Sequence, residues 1–153
     1  MAEKRPRPLV VDTSVALKFY LPEGGHEEAV RLLEAEEAGV AELLAPGTIL
    51  LEGFNAIVWQ HKRGLLDAED AGEAWRKLLH APIYTYATED LIERAAEIAD
   101  ETGAIVYDAL FLALAEDARS VMVTADGKLL KTLEGTRHAP LAFPLERVGD
   151  LLL

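Results

Sequence analysis

The sequence predicts an α/β fold in which helices cover both faces of a parallel β-sheet. Short apolar, β-branched segments alternate with longer segments whose apolar residues recur at helical spacing. Parallel strands need such helical connections, because each strand must begin at the same end of the sheet. The chain has 153 residues and shows neither an internal repeat nor a linker. We therefore expect a single domain over residues 9–153, preceded by a flexible arm at residues 1–8.

Five segments are expected to be extended. The first, Leu-Val-Val at residues 9–11, reads as a buried strand that ends where a helix begins. The other extended segments are residues 43–45, 83–86, 121–124 and 141–143.

Seven helices are predicted around these strands. Asp67 and Thr88 are placed to cap helix starts, and Gly64 and Gly103 are placed to end helices. The predicted helices cover residues 14–20, 26–38, 48–64, 68–79, 89–102 and 107–118, with a short helix after Asp126.

The composition excludes several classes of protein. The chain has no cysteine, so disulfides, thiolate catalysis and zinc–thiolate sites are excluded. The first eight residues are polar and basic with no apolar core after them, which is unlike a secretory signal. No apolar run approaches the roughly 18 residues of a membrane span. A cytoplasmic protein is the expectation.

The charge is strongly acidic but unevenly distributed. A formal net charge of −12 argues against a protein that coats nucleic acid, because such proteins present basic surfaces. Residues 23–42 alone hold seven Glu against one Arg, whereas residues 61–63 and 128–137 are locally basic. The net charge therefore leaves room for a local contact with nucleic acid.

Four acidic residues have apolar neighbours in the sequence: Asp12, Glu52, Asp108 and Asp126. Singly, each has a structural explanation, as a helix cap, a dipole partner or half of an ion pair. Asp12 and Asp126 follow predicted strands, and open parallel sheets bind ligands at the carboxyl ends of their strands, where strand order reverses. Glu52 lies in the first turns of its helix, near that edge, and Asp108 opens a helix that begins close to it if the preceding segment approaches the sheet. The pattern predicts one site containing all four carboxylates.

A divalent cation would relieve the repulsion in such a site. Each close pair of carboxylates costs several kcal/mol at the effective dielectric of a surface cleft. Oxygen ligands without cysteine suit Mg²⁺ or Mn²⁺ better than zinc. Small polar residues nearby could orient the carboxylates or hold bound water, although each also has a plain structural explanation. They are Thr13, Ser14, Asn55 and Thr124.

The segments around these acids resemble a known family, the PIN-domain ribonucleases, and particularly the small VapC-type toxins of toxin–antitoxin modules. The matching segments are VVDTSVAL, LLEGFNAI, VYDALFLALA and VMVTADGKLL, in this order along the chain. The resemblance extends from about residue 9 to the LAFPL segment, and all four acidic positions carry Asp or Glu as the family pattern requires.

The resemblance implies a three-layer α/β/α sandwich around a parallel sheet of about five strands, and a metal-dependent endonuclease that acts on RNA. It also implies a homodimer and inhibition by a small VapB-like antitoxin. On this hypothesis Asp12, Asp108 and Asp126 bind Mg²⁺ or Mn²⁺, and Glu52 is a further ligand or the base that positions the attacking water. The candidate groups for flanking phosphates are Lys18, Lys62, Arg63 and Lys128.

Two other functions stay open at this point. A phosphohydrolase of the haloacid-dehalogenase type also places an Asp nucleophile after its first strand. That chemistry needs a second acid two residues later, where this chain has Ser14. A non-catalytic PIN-like module that binds RNA or a partner protein is the other alternative, and the intact set of four acids argues against it.

Overall fold

In the computed structural model, which describes residues 3–153, five strands form one entirely parallel sheet. The sheet order is β3-β2-β1-β4-β5. This architecture confirms the predicted α/β fold with a five-stranded parallel sheet. The strands are β1 (Arg7–Val11), β2 (Ala41–Pro46), β3 (Ile83–Tyr86), β4 (Met122–Thr124) and β5 (Ala142–Pro144).

Within residues 3–153, seven α-helices connect the strands and cover the sheet. Because crossover connections between parallel strands are right-handed, the strand order puts the first four helices on one face and the last three on the other. No helix within residues 3–153 is both long and apolar enough to cross a membrane. The helices are α1 (Thr13–Tyr20), α2 (His26–Glu37), α3 (Thr48–Lys62), α4 (Ala68–Leu79), α5 (Ile92–Thr102), α6 (Val106–Asp117) and α7 (Gly127–Leu133).

The most apolar helix, α6, is a core helix. Residues 109–115 are all buried, so the helix is covered around its whole circumference. It packs on β1, β2 and β4 and is covered in turn by α5. The sequence left open whether this segment is core or a dimer surface, and the burial assigns it to the core.

Several predicted boundaries agree with the structure. Asp67 caps α4, since its side chain accepts a hydrogen bond from the Asp70 amide at 2.7 Å. Gly103 ends α5 in the left-handed conformation, with a φ of 83°. The predicted cap at Thr88 is wrong: residues 88–90 form a separate 3₁₀ turn, and α5 begins only after the buried Leu91. The turn closes through the Leu91 amide and the Thr88 carbonyl, so the Thr88 side chain caps nothing.

The amino-terminal boundary differs slightly from the prediction. β1 begins at Arg7, because pairing with β2 extends back to Arg7 and Ala41. The last two residues of the predicted arm at 1–8 therefore belong to the sheet. Residues 1 and 2 lie outside the described residues, and the flexibility of the arm stays a prediction.

The strand order creates one crevice at the carboxyl edge of the sheet. The chain builds outward from β1 to β2 and β3, then crosses back to place β4 on the other side of β1. The connections leaving β1 and β4 therefore diverge to opposite faces, and ligands of open α/β sheets bind where this happens. The crevice lies between the ends of β1 and β4.

Candidate active site

Asp12 lies in this crevice. Val11 pairs with Val123, so Asp12 is level with Thr124 at the ends of the two strands. The carboxylate is buried and accepts hydrogen bonds at both oxygens. Oδ1 accepts from the Ser14 hydroxyl at 2.5 Å and from the Val15 amide at 3.1 Å, and Oδ2 accepts from the Thr124 hydroxyl. Asp12 is thus both the N-cap of α1 and the most deeply placed acid of the crevice.

Ser14 and Thr124 connect the two loops that form the crevice. The Ser14 hydroxyl accepts a hydrogen bond from the Ala125 amide at 3.0 Å while it donates to Asp12. The Thr124 hydroxyl accepts from the Asp126 amide at 3.0 Å while it also donates to Asp12. Both predicted supporting residues therefore orient Asp12 and fix the segment that leads to Asp126.

Glu52 enters the site from α3, which begins directly after β2 at the same edge of the sheet. Its Oε2 accepts a hydrogen bond from the Thr13 hydroxyl at 2.7 Å. Its Oε1 is buried and makes no well-formed hydrogen bond among residues 3–153, although the Thr48 hydroxyl is near enough to lower the pKa of Glu52. A buried carboxylate oxygen without a partner is costly, so this atom is in the state expected of a ligand or a proton acceptor.

Thr48 is a site residue that the sequence analysis missed. Its hydroxyl and Glu52 Oε1 are both buried without a well-formed hydrogen bond in the described part of the chain, and the proximity of the two groups lowers the pKa of Glu52. Thr48 precedes Glu52 by one helical turn, so the two side chains lie on the same face of α3. The spacing of four residues was the available signal.

Asp108 and Asp126 complete the acidic set. Asp108 is in the first turn of α6 and is half-buried. Asp126 caps α7, and its Oδ1 accepts hydrogen bonds from the amides of Lys128 and Leu129 at 3.0 and 3.1 Å. The structural explanation for Asp126 as a cap is therefore also correct, and only one of its carboxylate oxygens takes part in the cap.

The carboxylates influence one another electrostatically. Burial raises the pKa of Asp12 to about 6, with a smaller contribution from the charge of Asp108, although its three hydrogen bonds oppose the shift. Burial also raises the pKa of Glu52, again with the charge of Asp108 adding to it. The pKa of Asp108 is raised by burial and by the charge of Asp126. Asp108 is therefore the common neighbour of the other three acids, as the prediction of a single site requires.

The donor set suits a hard divalent cation, and two features test that fit. First, Glu52 Oε1 is a buried carboxylate oxygen without a well-formed hydrogen bond, and the charge of Asp108 adds to the rise in the pKa of Glu52. Second, no three His, Asp or Glu side chains of residues 3–153 are grouped so that they could hold an ion by themselves. Mg²⁺ does not need such a cage, because it keeps several waters and is bound by one or two carboxylates together with substrate phosphates. The residues present fit that mode of binding.

The remaining predicted residues lie at different distances from the acids. Asn55 is exposed one turn beyond Glu52. Lys18 is partly buried and forms an ion pair with Glu23 at 3.3 Å. Lys128 is exposed beside Asp126.

Lys62 and Arg63 are not brought to the acids. They lie at the far end of α3 from Glu52, about 15 Å along the helix axis at 1.5 Å per residue. Lys62 instead places its ammonium group over the ring of Trp59, 5.1 Å from the ring centroid.

Comparisons with known proteins agree on one family. Residues 9–134 match the family model described as the PIN domain. Ribonuclease VapC3 of Pyrobaculum aerophilum is 33% identical over 127 residues, which cover 79% of this chain and 91% of that protein.

Solved structures share the fold at lower sequence identity. The crystal structure of PAE2754 from Pyrobaculum aerophilum has a TM-score of 0.68 at 22% identity and covers 95% of this chain and 88% of that one. A toxin–antitoxin complex from Klebsiella pneumoniae contains a chain with a TM-score of 0.59 at 17% identity, covering 90% of this chain and 97% of that one. The parallel sheet, the crevice with its four acids and the family match together identify this chain as a member of the PIN-domain family, in its VapC ribonuclease group.

Proposed function

We propose that this protein is an endoribonuclease, the toxin of a toxin–antitoxin pair, and that it cleaves RNA in the cytoplasm with the help of Mg²⁺ or Mn²⁺. The observation that carries the proposal is the buried, unpartnered Oε1 of Glu52 in a crevice that also holds Asp12, Asp108 and Asp126. The identity of 33% to a VapC ribonuclease over most of both chains supports the reaction class.

The cation is assigned to three of the acids, of which one or two bind it directly and the others act through bound water. Asp12, Asp108 and Asp126 surround the crevice, and Asp126 has one carboxylate oxygen outside its helix cap. When bound, the cation supplies Lewis-acid chemistry: it lowers the pKa of water and offsets the charge that develops on the scissile phosphate. The hydrogen bonds from Ser14 and Thr124 hold the Asp12 carboxylate in one orientation for this role.

Glu52 is assigned as the general base. Its Oε2 is occupied by the Thr13 hydroxyl, so Oε1 is the atom that takes a proton from the attacking water. Burial and the nearby Asp108 raise its pKa, which moves the group toward the range where a carboxylate accepts protons effectively near neutral pH.

The partners are a single-stranded or looped RNA, a VapB-like antitoxin and a second copy of the chain. A structural neighbour was solved as a toxin–antitoxin complex, which supports the antitoxin. Several large apolar side chains are exposed on this chain, as expected if partners cover them. Tyr84 and Tyr107 are each 63% exposed.

The geometry disfavours the phosphohydrolase alternative. That chemistry needs a second acid two residues after the nucleophile, and here that position is Ser14, whose hydroxyl donates to Asp12 and cannot act as the acid. The cleavage experiment below distinguishes a non-catalytic binding module from the proposed nuclease.

The test is cleavage of a mixed pool of structured RNA by the purified protein with Mg²⁺, Mn²⁺ or EDTA. We expect cation-dependent cuts that disappear in Asp108→Asn and persist in Asp100→Asn, an exposed acid in α5. Equal cutting by wild type and Asp108→Asn would refute the assigned site. Cation binding without any cutting, in the presence of a folded protein, would favour the binding module instead.

A further inference from the structure

A cavity of about 420 Å³ adjoins the crevice without containing any of its four acids. One wall is formed by Thr124, Ala125 and Gly127, which flank Asp126 on the loop that follows β4. The volume falls in the range of about 300–1,000 Å³ that is typical of sites for small molecules and cofactors. A group bound there would lie beside the scissile phosphate of an RNA strand held at the acids.

Two of the glycines that line this cavity border open space. A Cβ atom added to Gly24 or Gly127 would meet nothing within 4 Å among the described residues. Neither glycine has a positive φ, so no left-handed turn requires it. Glycine at such positions allows a ligand to approach the backbone closely. Leu130, Pro144 and Leu145 provide apolar wall opposite polar groups.

The polar groups of the cavity select against a phosphate and for a hydrogen-bond donor. Glu28 and Glu146 line the cavity, and ionised carboxylates only accept hydrogen bonds. Lys18 also lines it, with its ammonium group already paired with Glu23. These groups complement a ligand that offers N–H donors to the carboxylates and an acceptor oxygen to the N–H groups of Lys18 that Glu23 leaves free.

A nucleobase of unpaired RNA has this chemistry. Unstacked bases in single-stranded RNA are recognised by contacts to their faces and by hydrogen bonds to their edges. Guanine carries adjacent N1–H and N2–H₂ donors for a carboxylate and an O6 acceptor for an ammonium group. Uracil offers only one N–H donor on the same edge.

We propose that this cavity binds a guanine base of the nucleotide next to the cleaved phosphate, with Glu28 as the residue that selects it. The inference deepens the proposed nuclease function and rests on it for its biological meaning. It assigns sequence preference to α2 and to the loops around Gly24 and Gly127, while the acids at the ends of β1 and β4 perform the cleavage.

Binding is tested without any cleavage by adding guanosine 5′-monophosphate or uridine 5′-monophosphate to the ¹⁵N-labelled full chain. We expect the guanine nucleotide to shift the amide signals of Gly24, Gly25 and Gly127, and the uracil nucleotide to leave them in place. Glu28→Gln should abolish these shifts, whereas Glu27→Gln, which changes an exposed neighbour outside the cavity, should retain them. Equal shifts with both nucleotides, or none at these glycines, would overturn the proposal.

A cleavage assay tests the same pocket: the enzyme cuts a random RNA pool, and the ends of the products are sequenced. We expect guanine to be enriched beside the cut, and Glu28→Gln to reduce that preference about tenfold. Gly127→Ala should also reduce it, since a methyl group enters the cavity, while Gly72→Ala in α4 should not. If wild type and all variants cut RNA with the same base preference, the proposed guanine pocket is refuted while the nuclease function stands. An inactive wild type would refute the nuclease, and the nucleotide titration would still decide the pocket.

Discussion

Replacing Asp12 by Asn should stabilise the cation-free protein at neutral pH while it abolishes cleavage. Burial raises the pKa of this carboxyl group from 3.8 to about 6, which corresponds to about 3 kcal/mol of unfavourable free energy for the ionised form. The folded protein therefore binds the proton more tightly than the unfolded chain does. Its free energy of unfolding falls as the pH rises from about 4 to about 6, and then changes little on account of this group.

An amide at this position keeps the shape and most of the hydrogen bonds. Its oxygen can accept from Ser14 and from the Val15 amide, as Oδ1 of Asp12 does. Its NH₂ group would face the Thr124 hydroxyl, which can turn to accept because a hydroxyl has two lone pairs. The charge is therefore the main property that the substitution removes.

Urea unfolding in EDTA at pH 4 and pH 7 measures the effect. We expect the free energy of unfolding of Asp12→Asn to exceed that of wild type by up to about 3 kcal/mol at pH 7 and to match it closely at pH 4. Asp90→Asn, at an exposed acid in a 3₁₀ turn, should change the pH dependence little. Wild type and Asp12→Asn with the same pH dependence would refute the reasoning, because the cost of the buried charge would then be absent.

Three further predictions concern the same crevice and its support. The cleavage rate should fall below about pH 6, as the raised pKa values of Asp12 and Glu52 allow protons to compete with the cation, and a flat pH–rate profile from 5 to 8 would contradict this. Thr124→Val should raise the pKa of Asp12 further, as measured by NMR, because it removes a hydrogen bond to the carboxylate. It should also lower the free energy of unfolding in urea by about 1–3 kcal/mol, because it leaves the Asp126 amide without its acceptor. Gly53→Ala should lower the free energy of unfolding by about 1–3 kcal/mol, since its Cβ would clash with Leu78 Cδ2 between α3 and α4. A variant as stable as wild type would show that Leu78 or α4 shifts at little cost.

The positions of most candidate site residues were predictable because these residues stand at element boundaries. Asp12 and Asp126 follow strands, and the ends of parallel strands meet at one edge whatever the strand order. Glu52 lies near the start of α3, directly after β2, so its position also follows from the sequence. Asp108 is less determined, because α6 follows α5 and not a strand. Local chemistry of this kind can be read from neighbouring residues alone.

Other features could not be predicted, because they depend on residues far apart in the chain. Thr13 and Glu52 are 39 residues apart and meet only because α1 packs against α3. The isolation of Glu52 Oε1 is likewise a property of everything packed around it. Thr88 failed as a cap because the buried Leu91 holds the chain in a tighter turn before α5.

By itself, the sequence determined the alternation of strands and helices, the apolar character of α6 and the identity of the four acids, since these depend on residue type and short-range spacing. Tertiary structure alone decided the order β3-β2-β1-β4-β5, and with it the crevice beside β1. It also decided which polar atoms are buried with partners and which are not, and it separated Lys62 from the acids. The physical reason is that burial and electrostatic coupling depend on distances in space, which residue spacing along the chain constrains only within a single helix or strand.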